Sequence, residues 1–178
     1  MRSYSKSVSR DDVATIGWHH RWWHKCSKRS WWWPRINFHV YRRHRNLPRS
    51  YEAARSCYDH LAGRLGVALA DALTARGFII LEPEGAQVTG RGMDFFDELG
   101  LEINLLPKGR RPFCRPCLDW SERRYHVAGR LGALLLGFCL DHRWLERRND
   151  SRALQITELG ARQFEDVFQI EHPPLAIV

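Results

Sequence analysis

The chain is 178 residues long, 44% apolar and 27% charged, a size and balance that suit one globular domain or two small ones. Its longest apolar run, Leu131 to Leu140, is about half of what a membrane-spanning helix needs, so no membrane span is expected. The net charge of +8 points toward nucleic acid, yet all of the excess lies in residues 1–50, which hold twelve of the 28 Lys and Arg against Asp11 and Asp12. Those fifty residues are therefore at +10, and residues 51–178 are at −2. Five cysteines, an odd number, follow no apolar stretch of leader length, which favours a reducing cytoplasm over a disulfide framework.

Residues 1–50 contain six of the eight tryptophans (Trp18, Trp22, Trp23, Trp31, Trp32 and Trp33), mixed with His19, His20, His24 and basic side chains, and show no helical or strand period. Basic residues interleaved with aromatics can grip phosphates and stack bases, but such platforms need a fold to hold them. The histidines with Cys26 match no structural zinc spacing. A GC-rich gene read out of frame crowds Trp, Arg and His codons in this way, and on that reading the segment is disordered and carries no function.

From Tyr51 the pattern becomes regular. Ala54, Cys57, Tyr58, Leu61, Leu65, Ala68, Leu69, Ala72 and Leu73 recur at three and four residue steps, which predicts one helix of roughly 25 residues ending at Gly77. Phe78 to Leu81, a turn at Pro83-Glu84-Gly85, and Gln87 to Thr89 predict a short hairpin, after which Thr89 caps a helix reaching about Leu99. Pro107, Pro112 and Pro116 then interrupt any helix. Asp119 with Glu122 reads as a capping box for the next one, whose core stripe is Val127, Leu131, Leu134, Leu135 and Phe138. Trp144-Leu145, a turn over Arg147 to Ser151, and Ala153 to Ile156 predict a second hairpin, and Thr157 opens a last helix burying Phe164, Val167 and Phe168.

These elements say the same thing twice. Cys57-Tyr58-Asp59-His60 leading into Ala62-Gly63-Arg64-Leu65-Gly66 returns as Cys117-Leu118-Asp119-Trp120 leading into Ala128-Gly129-Arg130-Leu131-Gly132. The expected fold is mainly α with two small β-hairpins, as two repeated winged-helix-like units of helix, hairpin and helix, over residues 51–106 and 107–178. Neither unit alone has the apolar area for a stable core, so 51–178 is expected to be one compact domain.

Arg55 to Gly66, with its Cys57-Tyr58-Asp59-His60, and Cys117-Leu118-Asp119-Trp120-Ser121-Glu122-Arg123-Arg124 resemble the C-terminal region of a bacterial subgroup of ArsR-type transcriptional regulators. The resemblance covers 51–178, through the Phe-x-x-x-Phe-x-Ile that ends at Ile170. It implies a winged helix-turn-helix repressor that forms a homodimer and leaves its operator DNA when a metal or metalloid binds. Family members carry the DNA-reading winged helix ahead of the Cys-Tyr-Asp-His segment, and residues 1–50 show none of its pattern. The expected protein is thus mainly the sensing and dimerising region of such a regulator. A metal-binding module without DNA binding, and DNA binding through the second winged-helix-like unit, are the alternatives.

Cys57, Asp59 and His60 with Cys117 and Asp119 supply soft and borderline ligands at matching places in the two repeats, as a site for a thiophilic metal or metalloid ion requires. Against this, Cys57 lies on an apolar stripe, where a free Cys commonly packs as a small hydrophobe. Cys114-Arg115-Pro116-Cys117 is a lone CxxC, which Cys57 or His126 completes only if folding brings them near. Cys139-x-Asp141-His142 sits at a helix end, where such groups usually face solvent. Arg147, Arg148 and Arg152 ring the second hairpin, where a winged helix touches the DNA backbone and where a solvated turn also places arginines. No phosphate loop or nucleophile elbow is present, and Cys57 and His60 one helical turn apart on a packed face make a poor catalytic pair, so no enzyme is expected.

Overall fold

The computed structural model describes residues 49–101, 103, 110–148 and 151–171, all within one compact unit. Almost all of the tryptophan-rich segment, residues 1–48, lies outside them. Helix α1 (Arg49–Ala53) leads into strands β1 (Arg55–Cys57) and β2 (His60–Ala62), then helix α2 (Gly63–Ala75), strands β3 (Ile79–Glu82) and β4 (Gly85–Val88), and helix α3 (Gly90–Glu98). The second half repeats this order with β5 (Arg115–Leu118), β6 (Tyr125–Ala128), α4 (Gly129–Asp141), β7 (Leu145–Arg147), β8 (Leu154–Ile156) and α5 (Glu158–Phe168). Consecutive strands pair antiparallel, so four two-stranded hairpins are formed among the described residues.

The long helix expected from Tyr51 does not form. Residues 55–62 are the β1–β2 hairpin, and Tyr58, placed on the apolar stripe by spacing, is 96% exposed at its turn with φ +60°. A two-residue hairpin sets residue i opposite i+3, as Cys57 stands opposite His60, and one helical turn brings the same spacing together. Gly63, at φ +80°, then turns the strand into α2 in a conformation open to glycine and costly for residues with a Cβ. Asp119 and Glu122 likewise begin no helix. Asp119 Oδ1 accepts from the backbone N–H of Ser121 at 2.9 Å and of Glu122 at 3.1 Å, in the connection between β5 and β6. This is the cap's hydrogen bonding used in a turn instead. Val127 correspondingly belongs to β6 rather than to the helix.

Elsewhere local chemistry sets the ends of helices. The Thr89 and Thr157 hydroxyls accept from the N–H of Gly92 at 3.0 Å and of Gly160 at 2.8 Å, satisfying a free donor in the first turns of α3 and α5. The core is apolar and shared. Leu65 and Leu73 of α2, Phe96 of α3, Leu131 and Leu135 of α4, and Phe164 and Phe168 of α5 are fully buried. Phe95 meets Phe168 edge-on with ring centroids 5.9 Å apart, which joins the two halves.

The halves also interlock at their first hairpins. Backbone bonds tie β1 to the strand region of β8, Ser56 N–H to Arg152 C=O at 2.8 Å and Leu154 N–H to Ala54 C=O at 2.9 Å. Helix α2 packs on β6, and α4 on β2. At each crossing the last glycine of the Ala-Gly-Arg-Leu-Gly motif faces the other half's histidine. A Cβ on Gly132 would lie 2.5 Å from Val127 O and 2.9 Å from His60 Cβ, and one on Gly66 would lie 2.6 Å from Leu61 O and 3.7 Å from His126 Cβ. Gly132→Ala is therefore expected to lower stability by about 1–3 kcal/mol through overpacking. Gly137→Ala, in open space on the same helix, should raise it by up to about 1 kcal/mol. Urea unfolding of both variants checks the contrast.

Candidate metal centre

The two interlocked hairpins aim the same pair of side chains at one point. Cys57 and His60 are partners across β1 and β2, and Cys117 and His126 are partners across β5 and β6. Directly opposed residues of an antiparallel pair project from one face. The donor atoms of these four side chains all lie within 4.8 Å of one another. His60 and His126 are buried, their Nε2 atoms 3.2 Å apart, and the two cysteines are half-buried.

The carboxylates of the repeated Cys-x-Asp lie behind the imidazoles. Asp59 Oδ1 is hydrogen-bonded to His60 Nδ1 at 3.3 Å, and Asp119 Oδ2 is also 3.3 Å from His126 Nδ1 but without hydrogen-bond alignment. Asp59 and Asp119, expected as ligands, are thus placed to orient the histidines. Each carboxylate is itself held. Arg111 bridges both oxygens of Asp59 at the surface and keeps its pKa far below the usual carboxylate range. For Asp119 burial pushes upward, but His126, the N–H groups of Gly63 and Glu122, and Arg55 outweigh it and hold the group ionised.

Arg55 anchors this second layer. Its Nη2 donates to Asp119 Oδ1 at 2.5 Å and to Ser121 Oγ at 2.9 Å, and Asp119 Oδ2 accepts from Gly63 N–H at 2.8 Å. The guanidinium packs 4.8 Å from the ring centroid of Trp120 and 5.5 Å from that of Tyr51.

Two neutral imidazoles facing each other through Nε2 can share only one hydrogen bond, since one nitrogen must donate. A cation between them uses both lone pairs. Tetrahedral Zn²⁺ with bonds of about 2.0–2.1 Å to nitrogen sets two such nitrogens about 3.3 Å apart, close to the spacing observed. Burial lowers the pKa of His60 and so favours the neutral form that binds metal. Burial, followed by the presence of Cys57, pushes Cys117 up to about 11, so without a cation this thiol stays protonated. A metal ion removes that penalty by taking the thiolate directly. The residues present therefore fit a four-coordinate N₂S₂ ion.

The other candidates are placed elsewhere. Cys114 is buried outside the cluster, and burial pushes its thiol up to about 11. Cys139 is fully buried, and His142 Nδ1 lies 2.9 Å from Phe138 O on the exposed end of α4. Arg147 and Arg152 are exposed and Arg148 is half-buried along the β7–β8 hairpin, with Arg152 also 5.9 Å from the ring centroid of Tyr51. His126 completes the four because it holds the same cross-strand place as His60, a relation hidden by unequal turns. Two residues separate Cys57 from His60, whereas eight separate Cys117 from His126.

Over 112 residues the chain is 44% identical to YdfF of Bacillus subtilis (strain 168), an uncharacterized HTH-type transcriptional regulator. The match takes in 63% of this chain, and the chain spans about half the length of that relative. No family model matches the chain, and no solved structure does. Among the described residues no helix is long and apolar enough to cross a membrane.

Asp119→Asn should cost about 3–5 kcal/mol of stability, because it leaves the buried Arg55 cation without its counter-charge. Arg111→Ala, which breaks an exposed pair, should cost less than about 1 kcal/mol. Chemical denaturation of the two variants measures the difference.

Proposed function

We propose that residues 51–171 are the metal-responsive regulatory part of a transcriptional regulator of the ArsR type, in which Cys57, His60, Cys117 and His126 together hold one divalent ion. The observation that carries this reading is the convergence of four donor atoms, two from each repeat, within 4.8 Å. Two thiolates and two imidazoles in a tetrahedral set suit a borderline ion such as Zn²⁺. They do not suit arsenite, which takes three thiolates where these hairpins offer two. The similarity to an HTH-type transcriptional regulator supports the regulatory role.

Binding joins the first hairpins of both halves, so ligand free energy becomes conformational free energy of the interlocked pair. In the intact regulator a winged helix-turn-helix unit reads operator DNA within a homodimer. A change in the interlock is what such a unit would sense. The two helix–hairpin–helix segments, α2 to α3 and α4 to α5, are taken as winged-helix-like. Arg147, Arg148 and Arg152 on the second supply backbone contacts.

The test is titration of the full chain with Zn²⁺ and with Co²⁺, whose visible spectrum reports tetrahedral thiolate ligation. One ion per chain is expected, with a rise in Tm that EDTA reverses. His126→Ala and Cys57→Ser should abolish the signal, and Asp59→Ala should weaken affinity about 10- to 100-fold by freeing the His60 ring. Cys114→Ser should bind as the parent does. Unchanged binding in a Cys57→Ser, Cys117→Ser double variant would refute the site. A gel shift on upstream DNA, with and without Zn²⁺, tests the regulatory part.

A further inference from the structure

We infer that Cys57 and Cys117 are also a dithiol that a peroxide converts to a disulfide, and that this oxidation empties the metal site. The inference rests on the reading of Cys57, His60, Cys117 and His126 as ligands of one ion. The two sulfurs lie within 4.8 Å of each other. They also differ in access from the other described cysteines. Cys57 and Cys117 are half-buried, whereas Cys114 and Cys139 are 7% and 0% exposed, so solvent-borne oxidant meets the pair first.

The backbone around the pair permits closure. Cys57 ends β1 beside the exposed turn at Tyr58, and Cys117 precedes the long connection to β6. Bond formation needs the sulfurs to approach to about 2.0 Å, a movement of side chains and hairpin ends rather than of core helices.

Atoms and electrons balance simply. One thiolate attacks the peroxide O–O bond, forming a sulfenic acid and releasing water once the leaving oxygen is protonated. The second sulfur displaces the sulfenic oxygen, which leaves as a second water. Two thiolates lose two electrons, one hydrogen peroxide gains them with two protons, and the ion is released because neither sulfur keeps its thiolate charge. A thiol reductant restores both ligands.

The experiment treats the full chain, metal-free and Zn²⁺-loaded, with hydrogen peroxide, blocks the remaining thiols with iodoacetamide and maps tryptic peptides by mass. Zinc release is followed in parallel with a chromogenic chelator. A Cys57–Cys117 peptide should dominate the cross-links in the metal-free protein. Bound Zn²⁺ should slow its formation at least tenfold, one ion should leave per cross-link, and dithiothreitol should reverse both changes. The inference is overturned if metal-free protein ends with Cys57 and Cys117 separately alkylated or oxidised, or joined to Cys26 or another partner. If the cross-link forms but Zn²⁺ neither binds nor protects, the dithiol stands and the metal reading falls. If Co²⁺ reports all four ligands and no cross-link forms, the metal reading stands and this inference falls.

Discussion

The approach of His60 to His126 across the boundary between the repeats is the contact on which the rest of the arrangement depends. Two imidazoles buried in an apolar interior are costly unless every ring nitrogen finds a partner. Here each Nε2 has the other, and each Nδ1 has a carboxylate behind it at 3.3 Å. The carboxylates draw in Arg111 and Arg55, and Arg55 draws in Ser121, Tyr51 and Trp120. Polar groups are thus stacked from the centre outward, with His126 Nδ1 facing its carboxylate without a hydrogen bond. The glycines at positions 66 and 132 let backbone and ring come close enough for the stack to begin.

The two halves are alike in plan and unlike in depth. Asp119 is buried and tied to Arg55, to its own turn and to the start of α2, so the second hairpin is anchored from several directions. Asp59 is half-exposed and tied to a surface arginine. The pair of half-buried cysteines lies on the same boundary.

Much of the fold was legible in residue pattern, wherever local chemistry decides. Thr89 and Thr157 mark helix starts because a hydroxyl at that place satisfies a free N–H whatever surrounds it. The β3–β4 and β7–β8 hairpins follow from turn residues between short apolar runs. The β1–β2 hairpin was hidden because Cys57 and His60, three apart, fit a helical turn and a two-residue hairpin equally well. Asp119 and Glu122 misled in the same way, since the hydrogen bonds of a cap and of a tight turn use the same donors.

By itself the sequence determined that a unit is repeated, that each copy carries a Cys and an Asp at one fixed spacing, and that helix-packing glycines follow both. These are local regularities, and they survive without knowledge of neighbours. Only the tertiary structure decided which groups meet. It placed the carboxylates behind the rings, and it brought in His126, which sits nine residues beyond Cys117 in the chain and directly across from it in the hairpin. Strand register and the crossing of two repeats are long-range contacts, and a side-chain cluster made at such a crossing is spelled out by no single stretch of chain.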